Sequence, residues 1–267
     1  MSKVVGSKVT GALQQQILVY AGKGAFEMNV KALTTQLRTL IHPSVKIQEV
    51  RSRFLKTENW EKNTLALVMG GGECTKWDHS LGEEGKKKIK DYVMGGGKFV
   101  GFCAAGYFCS AQSCFTLENK SPVNKERSIA FYPGKAIGPI VPTHDSLSPE
   151  SARAMEVDFV FQNSSKSGAL YYQSGCCFDI ERSTQSTRIA GRYKSGAAAA
   201  LDCDVGKGKA FLCGPHIEFS WTENLKAVSN RAFADLAEKL VPQESFRLQI
   251  WEEIGWRLSL PLKSALQ

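Results

Sequence analysis

The period of the apolar positions changes twice along this chain. Between Ile17 and Phe102, solid apolar runs alternate with stretches of helical spacing; after about residue 128, short runs with turn-type punctuation follow one another. Ile17–Ala21 is a short apolar strand ending at Gly22-Lys-Gly24. Phe26–Leu40 carries Met28, Leu33, Leu37 and Leu40 at helical spacing and stops before His42-Pro43. Val45–Val50 reads as a strand, and Leu65–Met69 as a continuous apolar strand running into Gly70-Gly-Gly72. Leu81–Met94 reads as a helix with Ile89 and Val93 on one face, closed by Gly95-Gly-Gly97 and followed by the strand Phe99–Phe102. Strands without a polar face are covered on both sides, so this alternation predicts a mainly parallel sheet between two layers of helix.

The second half predicts short strands at Ile129–Phe131, Met155–Phe161, Ala169–Tyr172, Cys177–Ile180, Arg188–Tyr193, Ala197–Leu201 and Lys209–Cys213. Asp204-Val-Gly-Lys-Gly208 looks like a hairpin turn joining the last two. A helix follows over Thr222–Leu240, started at Ser220. Pro242 separates it from an amphipathic segment, Phe246–Leu258, with Trp251, Ile254 and Leu258 on one face. Neither a repeat nor a long linker interrupts the pattern. The expectation is a flexible N-terminus over 1–15 and a single α/β domain over 16–267.

Composition changes little. The hydrophobic fraction of 43% and charged fraction of 22% are ordinary for a globular chain. The net charge of +8 is scattered, and its densest run, Lys86-Lys-Lys-Ile-Lys90, sits on a predicted helix beside Glu83 and Glu84 and reads as a solvated face. No nucleic-acid motif accompanies it, so no nucleic-acid partner is expected. The eight cysteines are 74, 103, 109, 114, 176, 177, 203 and 213. Their irregular spacing predicts free thiols in a reducing compartment, with adjacent Cys176 and Cys177 on opposite faces of a strand. Neither a Cys-x-x-Cys pair nor clustered histidines appear, so no metal site and no cofactor are expected. The absence of a signal peptide and of a run near the ~18 apolar residues of a membrane span predicts a cytoplasmic protein without membrane contact.

The chemistry concentrates in two places. In Lys98-Phe-Val-Gly-Phe-Cys103-Ala-Ala-Gly-Tyr107, an apolar strand enters a cysteine flanked by small residues and followed by a helix-compatible segment. Such a sharp strand-to-helix turn exposes a nucleophile and surrounds its sulfur with N–H groups that favour thiolate. Far downstream, Gly214-Pro-His216-Ile-Glu218 puts an imidazole and a carboxylate two residues apart, on one face if extended. Cys103, His216 and Glu218 are therefore the candidate nucleophile, base and orienting group. The N–H groups of Gly71, Gly72 and Ala104 are candidate oxyanion donors. Glu73, Asp78 and His79 share a predicted loop and, with Tyr107, are candidates for the pocket rim. Trp77 lies in the same loop. Cys109 and Cys114 are expected as core residues on the helix that follows Cys103, and Glu27 as an exposed carboxylate at a helix start.

The Gly-Gly-Gly turn after a strand, the cysteine elbow and the late His-x-Glu together resemble the class I glutamine amidotransferase superfamily. That resemblance implies a flavodoxin-like sandwich and a Cys-His-Glu triad. The chain looks more closely like the amidotransferase-like N-terminal domain of eukaryotic biotin–protein ligases. The likeness lies in Ile17-Leu-Val-Tyr-Ala-Gly22, Val68-Met-Gly-Gly-Gly72, Gly96–Tyr107 and Leu212-Cys-Gly-Pro-His-Ile-Glu-Phe219. A basic Gly-Arg-Gly-Arg-type loop is missing, so biotin attachment by this chain is not expected. Glutamine-using members carry Gln shortly after the nucleophile, where this chain has Tyr107-Phe-Cys109, and their His-Pro-Glu is His216-Ile-Glu218 here. The implied activity is hydrolysis or transfer at an amide C–N bond through a Cys103 thioester, with glutamine disfavoured as substrate. The alternative is a binding or regulatory module that keeps the site without turnover. A small-molecule amide and a biotin ligase are the implied partners.

Overall fold

Ile17, Leu18, Val19 and Tyr20 leave no polar face on β1 (Gln16–Tyr20), and every residue of that strand is buried. Leu18 and Tyr20 face one apolar cluster while Ile17 and Val19 face another. The computed structural model describes residues 14–224 and 231–263. In it, α1 (Glu27–Leu40), β2 (Lys46–Val50), α2 (Ser52–Thr57), β3 (Thr64–Met69), α3 (Cys74–Met94), β4 (Lys98–Phe102) and α4 (Ala104–Phe108) follow β1. Strands β2, β1, β3 and β4 are parallel neighbours in that order. Val30, Leu33 and Leu37 of α1 cover one face of the sheet; Leu55 of α2, Ile89 and Val93 of α3, and α4 cover the other.

The second half supplies β5 (Ser110–Phe115), β6 (Val123–Glu126), β7 (Tyr132–Gly138), β8 (Ala152–Val160), β9 (Ser165–Gln173), β10 (Cys177–Phe178), β11 (Thr187–Tyr193), β12 (Ala198–Val205) and β13 (Gly208–Cys213). Most of these pair antiparallel, but β13 lies parallel beside β4, with Cys213 opposite Phe102. A strand from late in the sequence thereby joins the early parallel core. Helices α5 (Trp221–Asn224), α6 (Arg231–Leu240) and α7 (Glu244–Arg257) close the described chain. α7 buries Ile250, Trp251 and Ile254 on the α1 side of the sheet, so Trp251 belongs to the core while Trp256 is 57% exposed.

Several expectations need correction. The helix expected from Leu81 starts at Cys74 and continues through a kink at Gly82, whose φ of 60° and ψ of −178° are not helical. Glu73, Trp77, Asp78 and His79 therefore belong to the start of a helix, not to a loop. The helix after Cys103 ends at Phe108, where the Ser110 hydroxyl donates to the Gly106 carbonyl at 2.8 Å, and Cys114 sits on β5 instead. Ile129 and Phe131 are buried core plugs ahead of β7, with Ala130 at a φ of 49° between them, not a strand. Lys86 is buried and ion-paired with Asp78 and Glu83, so the lysine run is only partly a solvated face. The flexible segment expected over 1–15 lies outside the described residues up to 13, as do residues 225–230 of the expected Thr222–Leu240 helix. All eight cysteines are free, and Cys176 and Cys177 pack toward opposite sheet faces. Among the described residues, no helix is long and apolar enough to cross a membrane.

The two tryptophans of α7 give a direct test. Trp251→Ala should lower stability by about 3–5 kcal/mol, as removal of a large buried side chain does. Trp256→Ala should stay within about 0.5 kcal/mol of the parent. Urea denaturation of both variants checks this, and equal effects would overturn the placement of α7.

Candidate active site

Cys103 stands between the last residue of β4 and the first of α4, with a φ of 52° and ψ of −106°. A non-glycine residue held there stores on the order of 1–3 kcal/mol, so its surroundings must over-determine it. They do. The Cys103 N–H donates to the Cys213 carbonyl at 2.8 Å, the Gly106 N–H to the Cys103 carbonyl at 2.9 Å, and the Cys74 thiol to the Ala104 carbonyl at 3.3 Å. Small residues make the turn sterically possible. A Cβ on Gly101 would lie 2.9 Å from the Ala105 Cβ, and one on Gly106 would lie 2.7 Å from the Cys176 sulfur.

Because β13 runs parallel to β4, the chain after Cys213 leaves the sheet at the edge where Cys103 sits. The His216 N–H is tied to the Tyr171 carbonyl at 2.8 Å, and its ring packs between Tyr171 and Phe219. Its Nδ1 is 2.8 Å from Oε1 of Glu218, which leaves Nε2 as the nitrogen to meet the Cys103 sulfur. The sulfur itself lies 3.5 Å from the Gln173 carbonyl. His216 and Glu218 are both buried. The Ile217 carbonyl between them accepts from Arg247 at 2.7 Å and from the Trp251 indole at 3.0 Å, which fixes the His-x-Glu segment from behind.

Asn29 completes this group and was not foreseen from the sequence. Its Nδ2 donates to Glu218 Oε1 at 3.0 Å and sits 3.2 Å from His216 Nδ1. The signal was present: Asn29 is a polar residue on the apolar face of α1, beside Val30 and Leu33. Tyr171 and Gln173 had no local signal, since they reach the site only through the β8–β9 hairpin.

Burial, the largest influence on His216, disfavours the charged ring. The Glu218 carboxylate and the Cys103 sulfur outweigh it through charge and hydrogen bonding and hold its pKa up to about 10. Cys74, by contrast, is pushed up to about 12 by burial and stays a neutral thiol. Burial also raises Cys109, Cys176 and Cys213 well above the usual thiol range.

Cys103 and His216 open onto a cavity of about 580 Å³ that Gly71, Gly72 and Ala104 also line. Among the described residues, no protein group accepts from the N–H of any of these three. Close packing explains the two glycines: a Cβ would meet Asn29 Nδ2 at 2.7 Å from Gly71 and a backbone carbonyl from Gly72. Glu73 and Tyr107 line the cavity. Tyr107 does not block it, because its hydroxyl is anchored to the Ser174 carbonyl at 3.1 Å and its ring rests on Phe115. Phe108 turns away onto Trp77. Asp78 and His79 are not part of the rim: Asp78 is bound by Lys86, Lys125 and Arg127, and exposed His79 folds back to the Thr75 carbonyl. Among the described residues, no group of three His, Cys, Asp or Glu side chains is arranged to hold a metal.

The electrostatics predict a measurable titration. By NMR, the His216 ring should remain protonated through neutral pH and titrate near 10, rather than near the ordinary 6.5. Its folded pKa lies above the unfolded one, so its contribution to stability is full below about 6.5 and is lost as pH rises toward 10. Glu218→Gln should lower the titration point. A parent His216 titrating near 6.5 would overturn this account.

Comparison with known proteins agrees with the fold. The family model described as "Biotin-protein ligase, N terminal" matches residues 15–266. The biotin–protein ligase of Schizosaccharomyces pombe is 31% identical over 211 residues, covering 76% of this chain and 33% of the ligase. The chain thus spans about a third of that relative's length. A protein of Chlamydia muridarum described as uncharacterized is 30% identical over 210 residues, covering 77% of this chain and 81% of its own length. Among solved structures, a glutamine amidotransferase superposes with a TM-score of 0.53 at 16% identity, over 83% of this chain and 98% of its own. The fold is therefore that of the class I glutamine amidotransferases, and the chain belongs to the family of biotin–protein ligase N-terminal domains.

Proposed function

We propose that this protein cleaves or transfers an amide C–N bond through a thioester on Cys103. The observation that carries the reading is the convergence of Cys103, His216, Glu218 and Asn29 beside a cavity lined by Gly71, Gly72 and Ala104, whose N–H groups meet no protein acceptor among the described residues. An imidazolium next to the sulfur favours its anionic form. Thiolate attack on the amide carbon forms a C–S bond and moves the carbonyl π electrons onto oxygen. The N–H groups of Gly71, Gly72 and Ala104 donate hydrogen bonds to that oxyanion, a type of contribution typically worth about 2.7–4 kcal/mol per donor. Collapse breaks the C–N bond while His216 delivers its proton to the departing amine. Water then attacks the thioester, His216 takes a proton from it, and the acid leaves with thiolate restored. Glu218 holds the ring through Nδ1, and Asn29 holds Glu218.

The apolar surroundings and the Tyr107-Phe-Cys109 stretch disfavour glutamine as substrate. Eight free thiols suit work in a reducing compartment such as the cytoplasm, and the family link makes a biotin ligase a natural partner.

A panel of amides, glutamine included, incubated with the parent and with Cys103→Ala tests the reading through amine release and adduct mass. Release by the parent alone is expected, with weak glutamine turnover; equal release by both would put the chemistry elsewhere. If nothing is released and no adduct forms, while biotin, a nucleotide or a ligase raises Tm, the site serves binding or regulation instead; about 100-fold ligand excess over Kd should add ~2.7 kcal/mol. Iodoacetamide at neutral pH should label Cys103 ahead of the other seven cysteines, partly exposed Cys74, Cys114 and Cys177 included, and even labelling would count against an activated thiol. Asn29→Ala should lower kcat by about tenfold or more with KM little changed, because it removes a group that orients the triad through Glu218. An unchanged kcat would remove Asn29 from the machinery.

A further inference from the structure

The cavity beside Cys103 is chemically lopsided. Phe26, Phe115 and Phe219 give it apolar walls, and Met28, Val123 and Leu147 hold apolar surface at its mouth, each more than 60% exposed. Apart from its thiols and phenols, the cavity wall holds three charged or chargeable side chains among the described residues: Glu73, His216 and Arg127. Glu73 is partly exposed and engaged by Lys76, and His216 serves the triad. Arg127 differs from both. Its side chain is only 7% exposed, and its guanidinium lies 5.7 Å over the Phe108 ring. Nε donates to the Ser113 hydroxyl at 3.1 Å and Nη1 to Asp78 at 2.6 Å. Nη2 bonds to no protein acceptor among the described residues, and it is not one of the polar atoms sealed away from solvent.

Arg127 does not have Asp78 to itself. Lys86, Lys125 and Arg127 share that one carboxylate, Lys86 also meets Glu83, and Glu126 borders the same surface without an ion pair to Arg127 among the described contacts. A desolvated guanidinium with an open N–H prefers an anionic acceptor, above all a carboxylate. Arg127 stands on the α3 side of the cavity: it is bonded to Asp78 of that helix, and Cys74 at the start of the same helix lines the cavity and touches the Ala104 carbonyl of the elbow. A molecule whose amide reached Cys103 and whose far end reached Arg127 would lie along the apolar wall between them. A free amino acid fits poorly, because its ammonium would meet apolar rings and a like charge.

Resting on the amide-cleaving reading of Cys103, we infer that the substrate is an amide of an apolar acyl chain ending in a carboxylate, and that Arg127 binds that carboxylate. Arg127 is then the specificity-determining residue for the acyl side. Hydrolysis of such a monoamide consumes one water and yields the dicarboxylate and an amine, with no other reactant.

Adipamic, suberamic and sebacamic acids can be compared with octanamide for ammonia release by the parent protein, a comparison that needs no variant. At least one of the acids should exceed octanamide by about tenfold or more in kcat/KM, and Arg127→Met should bring the ratio close to one, with Arg127→Lys recovering part of it. Binding is measured separately by calorimetry of suberate with Cys103→Ala protein, where adding Arg127→Met should weaken Kd by about tenfold. Amide turnover without preference for the acids would overturn the inference and leave the Cys103 reading intact. Suberate binding that depends on Arg127, without turnover of any amide, would support the carboxylate site and overturn the cleavage reading. Suberate binding that is absent or indifferent to Arg127 would overturn the inference.

Discussion

The structure depends most on one backbone pairing, the parallel ladder between β4 and β13. It places Cys213 beside Phe102 and lets the Cys213 carbonyl accept from the Cys103 N–H at 2.8 Å. That bond helps hold Cys103 in a backbone conformation that a non-glycine residue avoids. The same ladder sends the chain after Cys213 out over the sheet edge with His216 and Glu218. A strand slipped by one residue would turn Ala210 and Leu212 toward the wrong face and move the imidazole away from the sulfur. The apolar alternation of β13 therefore fixes chemistry as well as packing, since Phe211 and Cys213 serve one core cluster while Ala210 and Leu212 serve the other.

A buried imidazolium and carboxylate are costly to desolvate and persist only when their geometry is well supported. Here the support comes from both faces of the site. Asn29 of α1 donates to Glu218, while Arg247 and Trp251 of α7 hold the carbonyl between the two catalytic candidates. Glu218 keeps one oxygen, Oε2, buried without a partner, so the carboxylate is aimed through Oε1 alone. The C-terminal helix thus belongs to the site even though none of its side chains lines the cavity. Its Trp251 also packs edge-on against Phe102, the residue that precedes the elbow cysteine, at 5.5 Å.

The cavity owes its shape to the second half of the chain. The β8–β9 hairpin brings Tyr171 and Gln173 over the carboxyl edge of the parallel sheet, and Ser146 and Leu147 close it from the side. Open α/β sheets hold ligands at that edge, and the antiparallel strands added here convert an edge into a walled pocket. Arg127, which follows β6, joins that wall to the surface network around Asp78. A fold shared with a glutamine amidotransferase structure in this way carries a cavity with largely apolar walls.

Local pattern determined the parallel core and the triad candidates. Strands such as Leu65–Met69 and Phe99–Phe102 lack a polar face, and burial on both sides is the one arrangement that satisfies them. Cys103 was legible because small residues on both sides of a cysteine at a strand end are needed for a tight turn, and His216-x-Glu218 because residues two apart share a face. The sequence misled where local signals competed. The Gly82 kink hid the first turns of α3, so Asp78 and His79 looked like rim residues; α4 gives way to β5 at Ser110, so Cys114, expected on the helix, lies on a strand. Asn29 showed only as a polar residue on an apolar helix face and Arg127 not at all, because their partners Glu218 and Asp78 lie 189 and 49 positions away. Their meeting required the sheet to be assembled first. Periodicity determines which face of an element is buried, and only tertiary packing decides which elements share that face.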